Sequence, residues 1–144
     1  MTKPLTTWRC DVCSEIIDSP ESGYVIWKSD PNLLSHAFKV IHKRKCDLKD
    51  HHSSAALSDF LGEKGLSYLL SKLSLGPIKK SQGQPSACQV ADMDEFVDFF
   101  RRVQTPFYEQ ARIKFGDEQV KEDFSDSNEL YPYLPEILKG IAAK

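Results

Sequence analysis

The sequence predicts an α+β protein, a short N-terminal β-hairpin followed by a mainly α-helical body. Three observations predict it. Two Cys/His pairs, Cys10 with Cys13 and His42 with Cys46, flank a stretch rich in strand-forming residues. Within that stretch the hydrophobic period is two, and after residue 53 it changes to about 3.6. At 144 residues the chain is long enough to bury a substantial core. The change of period divides it into a hairpin module, 1–52, and a helical body, 53–144, expected to pack as one compact unit.

"WRCDVCSE", Trp8 to Glu15, opens the informative part of the chain. Together with "HKRKC" it completes the pattern C-x2-C-x28-H-x3-C, four residues of types that bind zinc in pairs at ligand-like spacing. The connector must then bring the pairs together. "GYVIWK" (Gly23 to Lys28) is β-branched and aromatic, and "SDPN" (Ser29 to Asn32) is a turn signal. "HAFKVIHK" alternates, with Phe38, Val40 and His42 on one face and Lys39, Ile41 and Lys43 on the other. A hairpin of this kind returns His42 and Cys46 to Cys10 and Cys13. A four-coordinate structural Zn2+ site at Cys10, Cys13, His42 and Cys46 is therefore expected. A thioredoxin-like redox pair is the weaker reading, because the nine residues before Cys10 are too few for the βαβ context of that motif.

Residues 10 to 46, about a quarter of the chain, resemble a treble-clef or zinc-ribbon finger, in which a C-x2-C knuckle precedes a hairpin and a second pair closes the site. The second pair is H-x3-C rather than the commoner C-x2-C, and Ser14 stands where such knuckles often carry glycine. The treble-clef form of the resemblance implies a helix beginning at the closing pair, and "CDLKDHHSSAALSDFLG" is its candidate. Fingers of this kind serve nucleic-acid, protein and catalytic roles, so the resemblance leaves the function open.

The helical body follows. Leu57, Phe60 and Leu61 form one short stripe, and Leu66, Leu69, Leu70 and Leu73 a second, with Gly62 and Gly65 breaking or bending the run between them. Gly76 in "LGP" suits a left-handed stop. A loop is drawn from Pro77 to Val90, carrying Cys88 as a bystander. Asp92 is placed as the cap of the next helix, with Glu95 reaching back to it. Met93, Phe96, Val97, Phe99, Phe100 and Val103 make its apolar face, and the broad aromatic face of residues 96–115 leaves room for a groove or a dimer contact. Thr105 and Pro106 are read as the start of another helix, Phe107, Tyr108, Ala111 and Phe115 as its apolar positions, and a polar run then leads to a final helix from about Leu134. Arg101 and Arg102 are expected in solvent or at an anion, and His51 and His52 in solvent.

Composition narrows the function. Hydrophobic residues make up 40% and charged residues 28%, which excludes wholesale disorder. No apolar run approaches the ~20 residues of a membrane span. The N-terminus shows no secretory h-region, so a cytoplasmic address is expected, where a close cysteine pair serves metal or catalysis more often than a disulfide. A net charge of −2 lacks the global basic footprint of nucleic-acid binders. No nucleophile–base signature or glycine-rich phosphate loop is present. The expectation is a zinc-stabilised protein-interaction module. The alternatives are nucleic-acid binding through Lys39, Lys43, Arg44, Lys45 and Lys49, with Trp8 or Trp27 stacking on bases, and a zinc enzyme whose coordination sphere keeps an open position.

Overall fold

The computed structural model describes residues 5–80 and 88–144. Among these residues the architecture is α+β: two small antiparallel sheets and six helices. Strands β1 (Trp8–Arg9) and β2 (Ile16–Ile17) pair across the C-x2-C loop. Strands β3 (Gly23–Ser29) and β4 (Ser35–His42) form the expected hairpin. Its register slips by one residue between Ile26 and Lys28, where Ala37 takes a positive φ of 58°. Both Val40 and Ile41 are fully buried. Since successive side chains point to opposite faces, the hairpin is covered on both sides at this end, and Ile41 belongs to the core rather than to a polar face.

The segment after Cys46 departs from expectation. No helix begins at the closing pair. Ser53–Ala56 instead form β5, which pairs antiparallel with β3 and makes β3 the centre of a three-stranded sheet. A 3-10 turn, Leu57–Phe60, follows and buries Leu57 and Phe60. The short stripe that suggested helix is thus one turn of tighter helix beside an edge strand.

Helix α1 spans Gly62–Leu73. Gly65 lies inside it, because a Cβ there would overlap the backbone carbonyl of Phe60. Of the leucine stripe, Leu69 is fully buried and Leu73 packs on the core, whereas Leu66 and Leu70 are exposed. Gly76 adopts the left-handed φ of 78° expected of it, but a short helix α2 (Gly76–Lys80) begins there at once. Residues 81–87 of the loop drawn from Pro77 to Val90 lie outside the described residues. At its far end, Ser35 bridges Val90, and Cys88 is half-buried against the core with its thiol donating to the Val90 carbonyl at 3.9 Å.

Helix α3 (Met93–Gln104) is capped by Asp92, whose carboxylate accepts the Glu95 N–H at 3.2 Å. Glu95 does not reach back. Its carboxylate accepts the Phe38 N–H of β4 at 3.2 Å, one of the edge donors the sheet leaves free. The aromatic face of α3 is spent internally: Phe99 stacks on Phe38 with ring centroids 4.9 Å apart and meets Phe60 edge-on at 5.3 Å. Phe38 also stacks on Trp27. One apolar core therefore runs from Trp8 to Val103, across the boundary near residue 52.

The chain does not restart as helix at Pro106. Thr105 closes α3, Phe107 takes a left-handed φ of 68°, and α4 runs Tyr108–Arg112. The polar run after Gly116 contains a further helix, α5 (Glu118–Asp123), capped by the Asp117 carboxylate on the N–H groups of Gln119 and Val120. Helix α6 (Pro135–Ala142) closes the chain close to its expected start. Tyr108, Ala111, Val120, Leu138 and Ile141 form a second, smaller core. Among the described residues no helix is long and apolar enough to cross a membrane.

Candidate metal centre

Two loops build the site. In the first, the Cys10 carbonyl accepts the Ser14 N–H at 3.0 Å, and the Cys10 N–H donates to the Glu15 carbonyl at 2.9 Å. The turn closes with Ser14 at φ 66°, so the position that invites glycine does carry the left-handed backbone, occupied here by serine. In the second loop the Cys46 N–H donates to the His42 carbonyl at 3.3 Å, and Arg44 supplies the φ of 66°. The hairpin delivers His42 at the end of β4, opposite Gly23.

All four residues named from the sequence converge. The Sγ atoms of Cys10, Cys13 and Cys46 and the ligand atom of His42 lie within 4.8 Å of one another. His42 Nδ1 is 3.4 Å from Cys13 Sγ and 3.7 Å from Cys46 Sγ. Around a tetrahedral ion with Zn–S near ~2.3 Å and Zn–N near ~2.0 Å, an N···S separation of about 3.5 Å and an S···S separation of about 3.8 Å are expected. The nitrogen is already at that spacing.

The ring of His42 is also set for ligation. Its Nε2 lies 3.0 Å from the Ile16 carbonyl oxygen. A carbonyl only accepts, so Nε2 carries a proton and donates, and in the neutral ring this leaves the Nδ1 lone pair facing the sulfurs. Cys10 and Cys46 are buried, and Cys13 and His42 half-buried. Burial works to raise the Cys10 thiol, but backbone hydrogen bonds from Cys13 and Val12, with those from His42, outweigh it and bring its pKa down to about 6. The Val12 N–H lies 3.4 Å from Cys10 Sγ. Burial, then hydrogen bonds and charge at Cys10 and Cys13, push Cys46 up to about 11. Three sulfurs this close do not ionise together without a cation among them. A metal cation would supply that charge, and three sulfurs with one imidazole form a donor set that could hold one.

A second arrangement, missed from sequence, lies against the first loop. Arg102, expected in solvent or at an anion, is 3% exposed. Its guanidinium donates to both carboxylate oxygens of Glu109 at 2.7 and 2.9 Å, to Asp11 Oδ2 at 2.7 Å and to the Arg9 carbonyl at 3.1 Å. Burial opposes its charge, but Glu109 and then Asp11 hold its pKa above the ordinary arginine value. Asp11 Oδ2 also accepts the Val40 N–H at 2.7 Å, and the Val40 carbonyl accepts the Asp11 N–H at 2.8 Å. The carboxylate inside the C-x2-C loop thus ties that loop to both β4 and α3.

Neither tryptophan offers the basic segment a face for base stacking. Trp8 is fully buried, its Nε1–H donating to the Arg102 carbonyl, and Trp27 is 5% exposed. Lys45 pairs with Glu15 and Lys49 with Asp47, while Lys43 and Arg44 are exposed. His52 is exposed as expected, its Nδ1 accepting the Ser29 N–H, whereas His51 is half-buried and pairs with Asp47. Comparison with protein-family models, with curated proteins and with solved structures gave no match.

Proposed function

We propose that the chain is a protein-interaction module whose N-terminal third is organised by a structural Zn2+ bound to Cys10, Cys13, His42 and Cys46. The observation that carries the metal reading is the orientation of His42, with Nε2–H committed to Ile16 and Nδ1 turned to the sulfurs. Four protein ligands fill a tetrahedral sphere, leaving no position for an activated water, so the ion's role is structural. Two similar turns flanking a hairpin, followed by strand β5 rather than a helix, favour the zinc-ribbon form of the resemblance over the treble clef.

The interaction reading rests on the surface beside the site. A groove of about 330 Å³ lies between β2 and the α4–α6 side of the molecule, and Ile16 and Ile113 on its walls are 51% and 54% exposed. Exposed apolar side chains around a concavity suit a protein or peptide segment. Nucleic acid is the second reading, resting on exposed Lys43 and Arg44 beside the metal loops. Against it, three thiolates and one imidazole around a divalent ion carry a net charge of about −1, which these cations offset.

Elemental analysis and X-ray absorption of the purified chain test the metal, with one zinc per chain and three sulfur and one nitrogen ligands expected. Partner capture by cross-linking, compared between wild type and Ile16→Asp with Ile113→Asp, tests the surface. Loss of capture at unchanged zinc content supports the reading. Unchanged capture, together with oligonucleotide binding abolished by Lys43→Ala with Arg44→Ala, replaces it with the nucleic-acid reading.

A further inference from the structure

We infer that Arg102 is a latch through which the metal-binding loop holds residues 107–144 in place, so that occupancy of the metal site controls the docking of this C-terminal unit. The inference rests on the metal reading and adds a regulation of the same groove. The chain has two apolar cores, one within residues 8–103 and one within 108–141, and the seam between them carries a set of polar contacts. Across it run Arg102 to Glu109, the Arg9 N–H to Glu109 Oε2 at 2.9 Å, Tyr108 Oη–H to Asp98 at 2.5 Å, and Gln110 to Thr7. Seams of this kind open more readily than a continuous apolar core.

Asp11 connects the seam to the metal. It follows Cys10 directly, so the loop that the ion closes also sets the position of its carboxylate. That carboxylate accepts from Arg102 Nη1 at 2.7 Å. Without a cation the three sulfurs lose what holds them together, the loop relaxes, and Asp11 is drawn off Arg102 against its two hydrogen bonds to the Val40 backbone. A buried guanidinium N–H is then unpaired, and water reaching the seam restores its partner. Opening there separates Ile113 on the α4 side from Ile16 on β2, the two apolar walls of the groove.

Hydrogen exchange of the full chain, with zinc and after chelation, tests the latch together with Asp11→Ala and Asp11→Asn. Asp11→Ala keeps all four metal ligands and removes the acceptor. Asp11→Asn keeps an oxygen and removes the charge, and it remains decisive if the alanine variant does not fold. The expected result is zinc retained in both variants, with exchange in 107–144 faster by about tenfold or more in Asp11→Ala and by less in Asp11→Asn. Chelation of the wild type reproduces the faster exchange in 107–144. Unchanged protection of 107–144 in zinc-loaded Asp11→Ala, or in Asp11→Asn if only that variant folds, overturns the latch. Unchanged protection after complete metal loss overturns its control by the metal. A wild type that binds no metal refutes the metal reading itself, and the Asp11 variants then still decide whether the latch exists.

Discussion

Phe38→Ala tests whether the hairpin and the helices share one core. Phe38 sits on β4 at 9% exposure, stacked on Trp27 at 5.7 Å and on Phe99 at 4.9 Å, with Phe96 edge-on at 5.5 Å. Truncating a buried phenylalanine costs about 3–5 kcal/mol, and three ring contacts place this one in the upper half of that range, about 4 kcal/mol. At roughly 2.1 cal/mol/K of unfolding entropy per residue, a chain this long loses about 3.3 °C per kcal/mol, so Tm falls by about 13 °C. The assay is thermal unfolding of the protein in buffer containing zinc, followed by tryptophan fluorescence and by circular dichroism at 222 nm. Fluorescence reports Trp8 and Trp27 in the first core, and the 222 nm signal includes α1 and α3. Both midpoints are expected to drop together. A fluorescence transition that drops while the 222 nm midpoint stays at its wild-type value would refute the shared core and restore an independent hairpin module. The same packing bears on chelation: Val25, Ile26, Val40 and Ile41 are buried in the apolar core, so β3 and β4 should persist while the two Cys/His loops loosen.

Four further outcomes are expected. Zinc affinity should rise with pH, because the Cys46 thiol at about 11 must give up its proton while Cys10 at about 6 is already largely thiolate. The apparent Kd is expected to fall about tenfold or more per unit between about pH 6.5 and 8.5, and a flat titration would contradict the ligand set. Gly65→Ala should destabilise despite alanine's helix propensity advantage of about 1 kcal/mol, because its Cβ meets the Phe60 backbone. Gly140→Ala, in open space on α6, should instead gain about 0.5–1 kcal/mol in denaturant melts. Burial, and then Asp98, raise the Tyr108 phenol above its usual value. Its stabilising contribution is present below the unfolded tyrosine pKa of about 10 and is lost as pH rises through the raised folded value. Tyr108→Phe should cost about 1 kcal/mol at neutral pH and flatten that alkaline decline, as measured by urea melts across pH.

The sequence by itself determined the parts whose physics is local. Ligand types at a spacing of two and three residues mark the metal loops, alternation marks β3 and β4, and Asp92 before "MDEF" marks the start of α3, because each signal is complete within a few neighbouring residues. The convergence of Cys10, Cys13, His42 and Cys46 was legible for the same reason, since a hairpin between two pairs returns one to the other. Tertiary structure decided what depends on partners far along the chain. Ser53–Ala56 is a strand because β3 offers an unpaired edge, although serine and alanine carry little β propensity. Glu95 leaves its own cap for a free N–H on β4, 57 residues away. Arg102 looks like a surface residue beside Arg101, and it is buried because Asp11, 91 residues distant, and Glu109 on the next helix meet it with opposite charge. No pattern within α3 distinguishes it. The cost of burying a guanidinium is offset only when the assembled fold brings both carboxylates to it.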